Sequence, residues 1–201
     1  MADPIITIDG GPLTFEAVVD VAHGGAEIRL DPSVAGRMQP ARDLVERAVA
    51  ENQTVYGITT GFGALASTRI DPAEAATMQI HLLRSHAAGV GPPVPAPIVR
   101  AMMLLRARTL ASGHSGVRPI VVERILDLLN ADFLPVVPGQ GSVGASGDLA
   151  PFAHLALPLI GEGELFVDGE RRPAAEALLE AGIEPLVLAA KEGISLLNGT
   201  E

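Results

Sequence analysis

Asp71-Pro72-Ala73-Glu74, running on through Ala75-Ala76-Thr77-Met78-Gln79-Ile80-His81-Leu82-Leu83-Arg84-Ser85-His86 to Gly89, carries the clearest helix signal in the 201-residue chain. Asp71 has the side chain of a cap, Pro72 suits the first helical position, and Glu74 completes a capping box. Met78, Leu82, Ser85, His86 and Gly89 recur at three- and four-residue steps and so share one helical face. Gly89 to Pro95 ends the helix. Working outward, further helices are predicted over Pro97–Ser112 (Met102, Leu104, Leu105, Leu110), Arg118–Asn130 (Val121, Ile125, Leu128), Asp148 to about Leu157, Ala174–Ala181 and Pro185–Leu197. Upstream, Asp31-Pro32 opens a helix towards Ala50 that Pro40 should interrupt. The first thirty residues read as an appendage, with a strand at Ile5–Ile8, a turn at Asp9-Gly10-Gly11 and a second strand at Glu27–Leu30. Glu164 to Gly169 reads as a hairpin. The expected fold is mainly α, with residues 31–201 forming a helical domain.

Composition narrows the function. Asp plus Glu total 24 against 14 Lys plus Arg, a formal charge of −10, which leaves no basic surface for a nucleic-acid backbone. The absence of cysteine excludes disulfides, thiol catalysis and thiolate metal sites, and makes the cytoplasm the expected compartment. Met1-Ala2-Asp3-Pro4 lacks the features of a signal peptide, and the apolar run Leu149–Ile160 is too short to span a bilayer, so no membrane partner is expected. The mean hydropathy of +0.34 is high and predicts apolar surface that an oligomer or a larger parent protein would cover. Leu186, Val187, Leu188, Ile194, Leu196 and Leu197 make the last segment strongly apolar. It is either a helix docked in the core or part of a chain that continues.

Several motifs fail on context. Gly139-Gln140-Gly141-Ser142-Val143-Gly144 has the spacing of a dinucleotide loop, but two prolines precede it and no βαβ series follows. Gly144-Ala145-Ser146-Gly147 is one residue short of a nucleophile elbow. His81 and His86 are five apart, which is not metal-ligand spacing on a helix, and His23, His81 and His114 read as surface or core histidines. What remains is Ala145-Ser146-Gly147, three small residues in a glycine-rich loop followed at once by Asp148. A tight turn there could bring the Gly147 nitrogen onto the Ala145 carbonyl carbon, and the Ser146 hydroxyl could leave as water.

Gly141 to Pro151, continuing to His154, resembles the signature of the histidine and aromatic amino-acid ammonia-lyases. Three more segments are similar to that family, in its order: Tyr56-Gly57-Ile58-Thr59-Thr60-Gly61-Phe62-Gly63, Arg84-Ser85-His86-Ala87-Ala88-Gly89-Val90-Gly91, and Leu196-Leu197-Asn198-Gly199-Thr200. The resemblance implies long, mainly antiparallel helices of the ammonia-lyase and fumarase–aspartase type. It implies a homotetramer whose active sites draw on several subunits, and a chain longer than this one, so that these residues are an N-terminal portion lacking the C-terminal helical part and inactive alone. It also implies a 4-methylidene-imidazol-5-one group formed from Ala145, Ser146 and Gly147, with no metal or diffusible cofactor. By the same resemblance, Tyr56 is the base that removes a β-proton, and Asp148 assists dehydration. If Asp148 also caps the next helix, the positive end of that helix would face the ring. Asn198 contacts ring and substrate, or caps its helix, and Gly63 belongs to the substrate loop.

The pair Ser85-His86 points to L-histidine as substrate and urocanate as product, because an imidazole at 86 can exchange a hydrogen bond with the substrate ring. Thr59 departs from the histidine enzymes, which usually carry Asn there. A tyrosine or phenylalanine ammonia-lyase, an aminomutase, and a non-catalytic assembly subunit stand as alternatives.

Overall fold

A computed structural model describes residues 4–24, 26–61, 63, 70, 71, 74–142 and 147–199. Its elements are β1 (Ile5–Ile8), α1 (Phe15–Ala22), β2 (Glu27–Leu30), α2 (Ser33–Ala50), α3 (Ala75–His86), β3 (Val90–Pro93), α4 (Ala96–Ala111), α5 (Pro119–Asn130), β4 (Leu134–Pro135), β5 (Pro138–Gln140), α6 (Leu149–Ala156), β6 (Glu164–Val167), β7 (Glu170–Pro173), α7 (Ala174–Ala181) and α8 (Glu192–Leu197). Helix accounts for 52% and strand for 14%, so the fold is mainly α without being all-α.

The centre is the pair α4 and α5, whose Met103, Leu104, Leu110, Ile125 and Leu128 are fully buried. The N-terminal β1 and β2 pair in parallel on either side of α1 in the sequence, and α1 packs on α4. Ile8, Val21 and Ile28 thereby join the core of the helices. Asn130, at the end of α5, clasps β2 with both halves of its amide: Nδ2 donates to the Ile28 carbonyl (2.8 Å) and Oδ1 accepts from the Ile28 N–H (2.9 Å). This supplies the partners that an edge strand would otherwise find in water.

Three expectations need correction. Helix α2 runs unbroken through Pro40. Pro40 and Gly36 both lie on the exposed side, so the carbonyl that loses its helical donor turns to water. Helix α3 begins at Ala75 rather than beside Asp71, with no side-chain cap. A turn closed by Glu74 N–H on the Asp71 carbonyl (2.8 Å) precedes it, and Pro72 lies outside the described residues. The segment before α8 is irregular rather than helical from Pro185. Its backbone is engaged elsewhere, Leu186 N–H on the Leu159 carbonyl (2.7 Å) and the Val187 carbonyl on Arg118 (2.7 Å). The proline-bearing stretch before Gly139 forms only very short strands at sheet edges, in keeping with its two prolines. β4 pairs with β6 of the expected hairpin, and β5 pairs antiparallel with β3 through only two residue pairs, Val90 with Gln140 and Pro93 with Pro138.

The other half of the chain forms a second grouping, with α3, α6 and α8 packed on one another. Gly193 lets α8 cross α3 closely, since a Cβ there would stand 2.7 Å from the Gln79 backbone oxygen. Gln79 is buried and its Oε1 accepts from Ile194 N–H (3.2 Å). Glu192 anchors the start of α8: its buried carboxylate accepts from the Arg118 N–H (3.0 Å), Arg118 Nε (2.8 Å), Arg118 Nη2 (2.7 Å) and Ala189 N–H (2.7 Å). Burial alone would raise the pKa of Glu192, but Arg118 and the two backbone donors outweigh it and hold the carboxyl below its ordinary range. Among the described residues, no helix is long and apolar enough to cross a membrane.

Candidate active site

Tyr56 stands at the apex of a tight turn. The Val55 carbonyl accepts from Ile58 N–H (3.1 Å) and Thr59 N–H (3.0 Å), and Gly57 takes the left-handed conformation (φ 72°) that the turn requires. The phenol is 61% exposed, and its oxygen accepts from Gly63 N–H at 3.5 Å, which brings together two of the residues singled out above. Thr59 is buried, and its hydroxyl is engaged within the same turn. Oγ1 accepts from Val55 N–H (2.9 Å) and donates to the Gln53 carbonyl. The departure at position 59 therefore concerns how the loop is tied.

The phenol opens onto a cavity of about 290 Å³, which Asn198 also lines. Arg106, His114, Ser115, Lys191 and Ser195 complete most of its polar wall. Sequence reasoning missed Arg106 and Lys191 and read His114 as a surface or core histidine; it is exposed, and it faces this cavity. Lys191 precedes α8 in a left-handed conformation (φ 73°), and its Nζ donates to the Ser115 carbonyl (2.7 Å) and to Ser195 Oγ (3.4 Å). Burial lowers its pKa below that of an ordinary lysine.

Asn198 ends α8, its N–H donating to the Ile194 carbonyl (3.0 Å), so it is both a helix terminus and a cavity residue. The next residue meets the candidate loop. The Gly199 carbonyl accepts from Asp148 N–H (2.9 Å), and a Cβ on residue 147 would lie 2.6 Å from that same oxygen. Gly147 also has φ 123°. Only glycine fits, on both counts. Ala145 and Ser146 lie outside the described residues.

Asp148 does not cap α6 with its side chain. The carboxylate accepts from the hydroxyl of Ser142, which faces it across the loop, and only the Asp148 carbonyl serves the helix, accepting from Phe152 N–H (3.1 Å).

Ser85 and His86 occupy the last turn of α3 and are not among the cavity's lining residues. His86 Nδ1 lies 2.9 Å from the Leu82 carbonyl and 3.0 Å from Ser85 Oγ, and Ser85 Oγ donates to the same carbonyl (2.9 Å). A carbonyl only accepts, so Nδ1 carries the hydrogen and Nε2 keeps its lone pair in the neutral ring. Beyond α3, Gly89 N–H donates to Nε2 of His154 on α6 (3.0 Å), which makes that ring nitrogen an acceptor too. Burial lowers the pKa of His154 and so favours the neutral ring this bond needs. The glycines of this motif allow the crossing: Cβ atoms on Gly89 and Gly141 would lie 3.1 Å from His154 Nε2 and from the Gly89 Cα, respectively.

A model of the family described as aromatic amino acid lyase matches residues 13–201, and the chain belongs to that family. It is 53% identical over all 201 residues to a histidine ammonia-lyase of Stigmatella aurantiaca, of which it covers 39%. Among solved structures it is similar to a tyrosine aminomutase from Streptomyces globisporus (TM-score 0.90, 42% identity, 98% of this chain and 37% of that one). It is also similar to a histidine ammonia-lyase from Trypanosoma cruzi (TM-score 0.87, 39% identity, 98% and 38%). The chain thus spans about two fifths of the curated relatives it matches.

Proposed function

We propose that the protein carrying this chain is a histidine ammonia-lyase that eliminates ammonia from L-histidine to give urocanate, working as a cytoplasmic homotetramer. The observation that supports this reading most is the seat of Gly147: a left-handed backbone pressed against Gly199, one residue beyond an asparagine that shares a cavity with Tyr56. A residue with no side chain fits an amide nitrogen that must approach the Ala145 carbonyl carbon. Closing that bond expels the carbonyl oxygen as water. Loss of the Ser146 hydroxyl with its α-hydrogen expels a second, and no oxidant is needed. The resulting 4-methylidene-imidazol-5-one supplies an electrophilic carbon for the substrate's amine.

The chain's own residues do the rest. Tyr56 takes the β-proton on its phenol oxygen, Asp148 sits at the loop with its carboxylate steadied by Ser142, and Asn198 orients groups in the cavity. His86, with Nδ1 tied to Leu82, offers Nε2 to the N–H of a substrate imidazole, while Ser85 steadies the ring. The substrate's carboxylate is left to residues outside this chain.

Intact mass tests the electrophile, since the reading requires two waters fewer than the sequence gives by calculation, and Ser146→Ala, with no hydroxyl to shed, should lose one at most. Product formation from histidine, tyrosine and phenylalanine by the complete protein tests the substrate. Faster turnover of tyrosine would overturn the assignment to histidine, and an unreduced mass would leave an assembly subunit in place of an enzyme.

A further inference from the structure

We infer that Arg106 is a positioning residue that holds the end of α8 in register with the entrance to α6, and through it Gly199 against Gly147; this rests on the proposed reaction. Arg106 is 1% exposed, and two of its kinds of contact point to different elements. Along its edge, Nη1 donates to the Asn198 carbonyl (3.0 Å) and, more weakly, to the Ser195 carbonyl (3.4 Å). Across its face, the guanidinium carbon lies 4.2 Å from the centroid of the Phe152 ring on α6.

The carbonyls at the end of α8 are those a helix leaves without internal partners, at the negative end of its dipole, where a cation is favoured. Phe152 in turn is bonded through its N–H to the Asp148 carbonyl, so the ring Arg106 rests on belongs to the first turn after the candidate loop. One planar cation therefore spans both sides of the seat in which Gly199 receives Asp148. Lysine has neither the flat face nor the fork to do this. An apolar side chain would fill the space without the desolvation that a buried cation incurs, but would leave the Asn198 carbonyl without its donor.

The test compares the complete protein with Arg106→Met, Arg106→Lys and Phe152→Leu. Loss of two waters is followed by intact mass, and kcat and KM are measured with L-histidine. Arg106→Met is expected to lose its waters more slowly. Once its waters are lost, its kcat should be lower by on the order of 100-fold with KM changed far less, the pattern of displaced groups rather than of lost fold. Arg106→Lys should recover part of the rate, and Phe152→Leu, which keeps the donors, should lose roughly tenfold. Wild-type kinetics of water loss and wild-type kcat in folded Arg106→Met would overturn the inference. If that variant does not fold, an unchanged kcat in Phe152→Leu overturns it instead. A wild-type protein that keeps both waters removes the underlying reaction and the inference with it.

Discussion

The Gly199 oxygen occupies the space that any side chain on Gly147 would need: a Cβ there would come within 2.6 Å of it. The contact is between two backbones, so no side-chain movement relieves it. Gly147→Ala is therefore expected to lose about 1–3 kcal/mol of stability, since the position also lies at positive φ. It should retain the full calculated mass. Denaturant titration and intact mass check the two halves separately, and a variant that still sheds two waters would refute the role given to this seat.

Tyr56 bonds to Gly63 through its phenol oxygen, whereas Gly147 is seated against the Gly199 backbone. Tyr56→Phe should leave water loss untouched and reduce kcat by roughly 10²- to 10⁴-fold, the range for losing a general base. A small effect on kcat would transfer the proton to another group lining the cavity.

His86 carries its hydrogen on Nδ1, towards Leu82, which orients Nε2 as an acceptor. His86→Leu removes that acceptor and should lower kcat/KM for histidine by about 10- to 100-fold relative to phenylalanine. Competition assays with the two substrates measure this ratio directly; an unchanged ratio would place the choice of substrate elsewhere.

Glu192 is fully buried and accepts four hydrogen bonds, three of them from Arg118, whose own side chain keeps contact with water. Glu192→Gln should cost about 3 kcal/mol, the low end for a broken buried pair because Arg118 can be resolvated. Because the folded-state pKa is depressed, the stabilisation is complete above the carboxyl's unfolded value. It is lost as the pH falls through the folded one, and the variant should lack that acid dependence in urea titrations.

His154 adds a second acid dependence at higher pH. Burial lowers its folded pKa, so the unfolded chain takes up the proton first, and stability falls as the pH drops below about 6.5. His154→Asn should flatten this part of the profile. An unaltered slope between about pH 7 and 5 would mean that another histidine carries it.

Helices α4, α5 and α7 were legible to within a residue because each has proline at or just before its start, with a clear apolar period in α5 and α7 and apolar residues nearly throughout α4. The short strands β3 and β5 were not. They meet through only two residue pairs, include prolines and show no alternation, so they exist because Gly89 and Gly141 allow the two segments to approach. Pro40 misled because a proline's effect depends on whether the orphaned carbonyl can reach water, which one sequence does not reveal. Tyr56, Ser85, His86, Gly147, Asp148 and Asn198 were legible as motif residues. The sharing of a cavity by Tyr56 and Asn198 needed the tertiary fold. Arg106 was invisible for a plain reason: a cation in an apolar helix reads as a solvent-facing position unless its partners, here carbonyls more than eighty residues away, are known.

The close passage of Gly193 over Gln79 has an evolutionary consequence. With Gly193 resting on the backbone and side chain of Gln79, α3 and α8 leave no slack at this crossing that drift could thin or thicken, so Ser85-His86 and Asn198 are carried on a frame of fixed spacing. Relatives that have changed their preferred amino acid on this frame would do so by exchanging side chains at its tips, and the helices themselves would stay where they are.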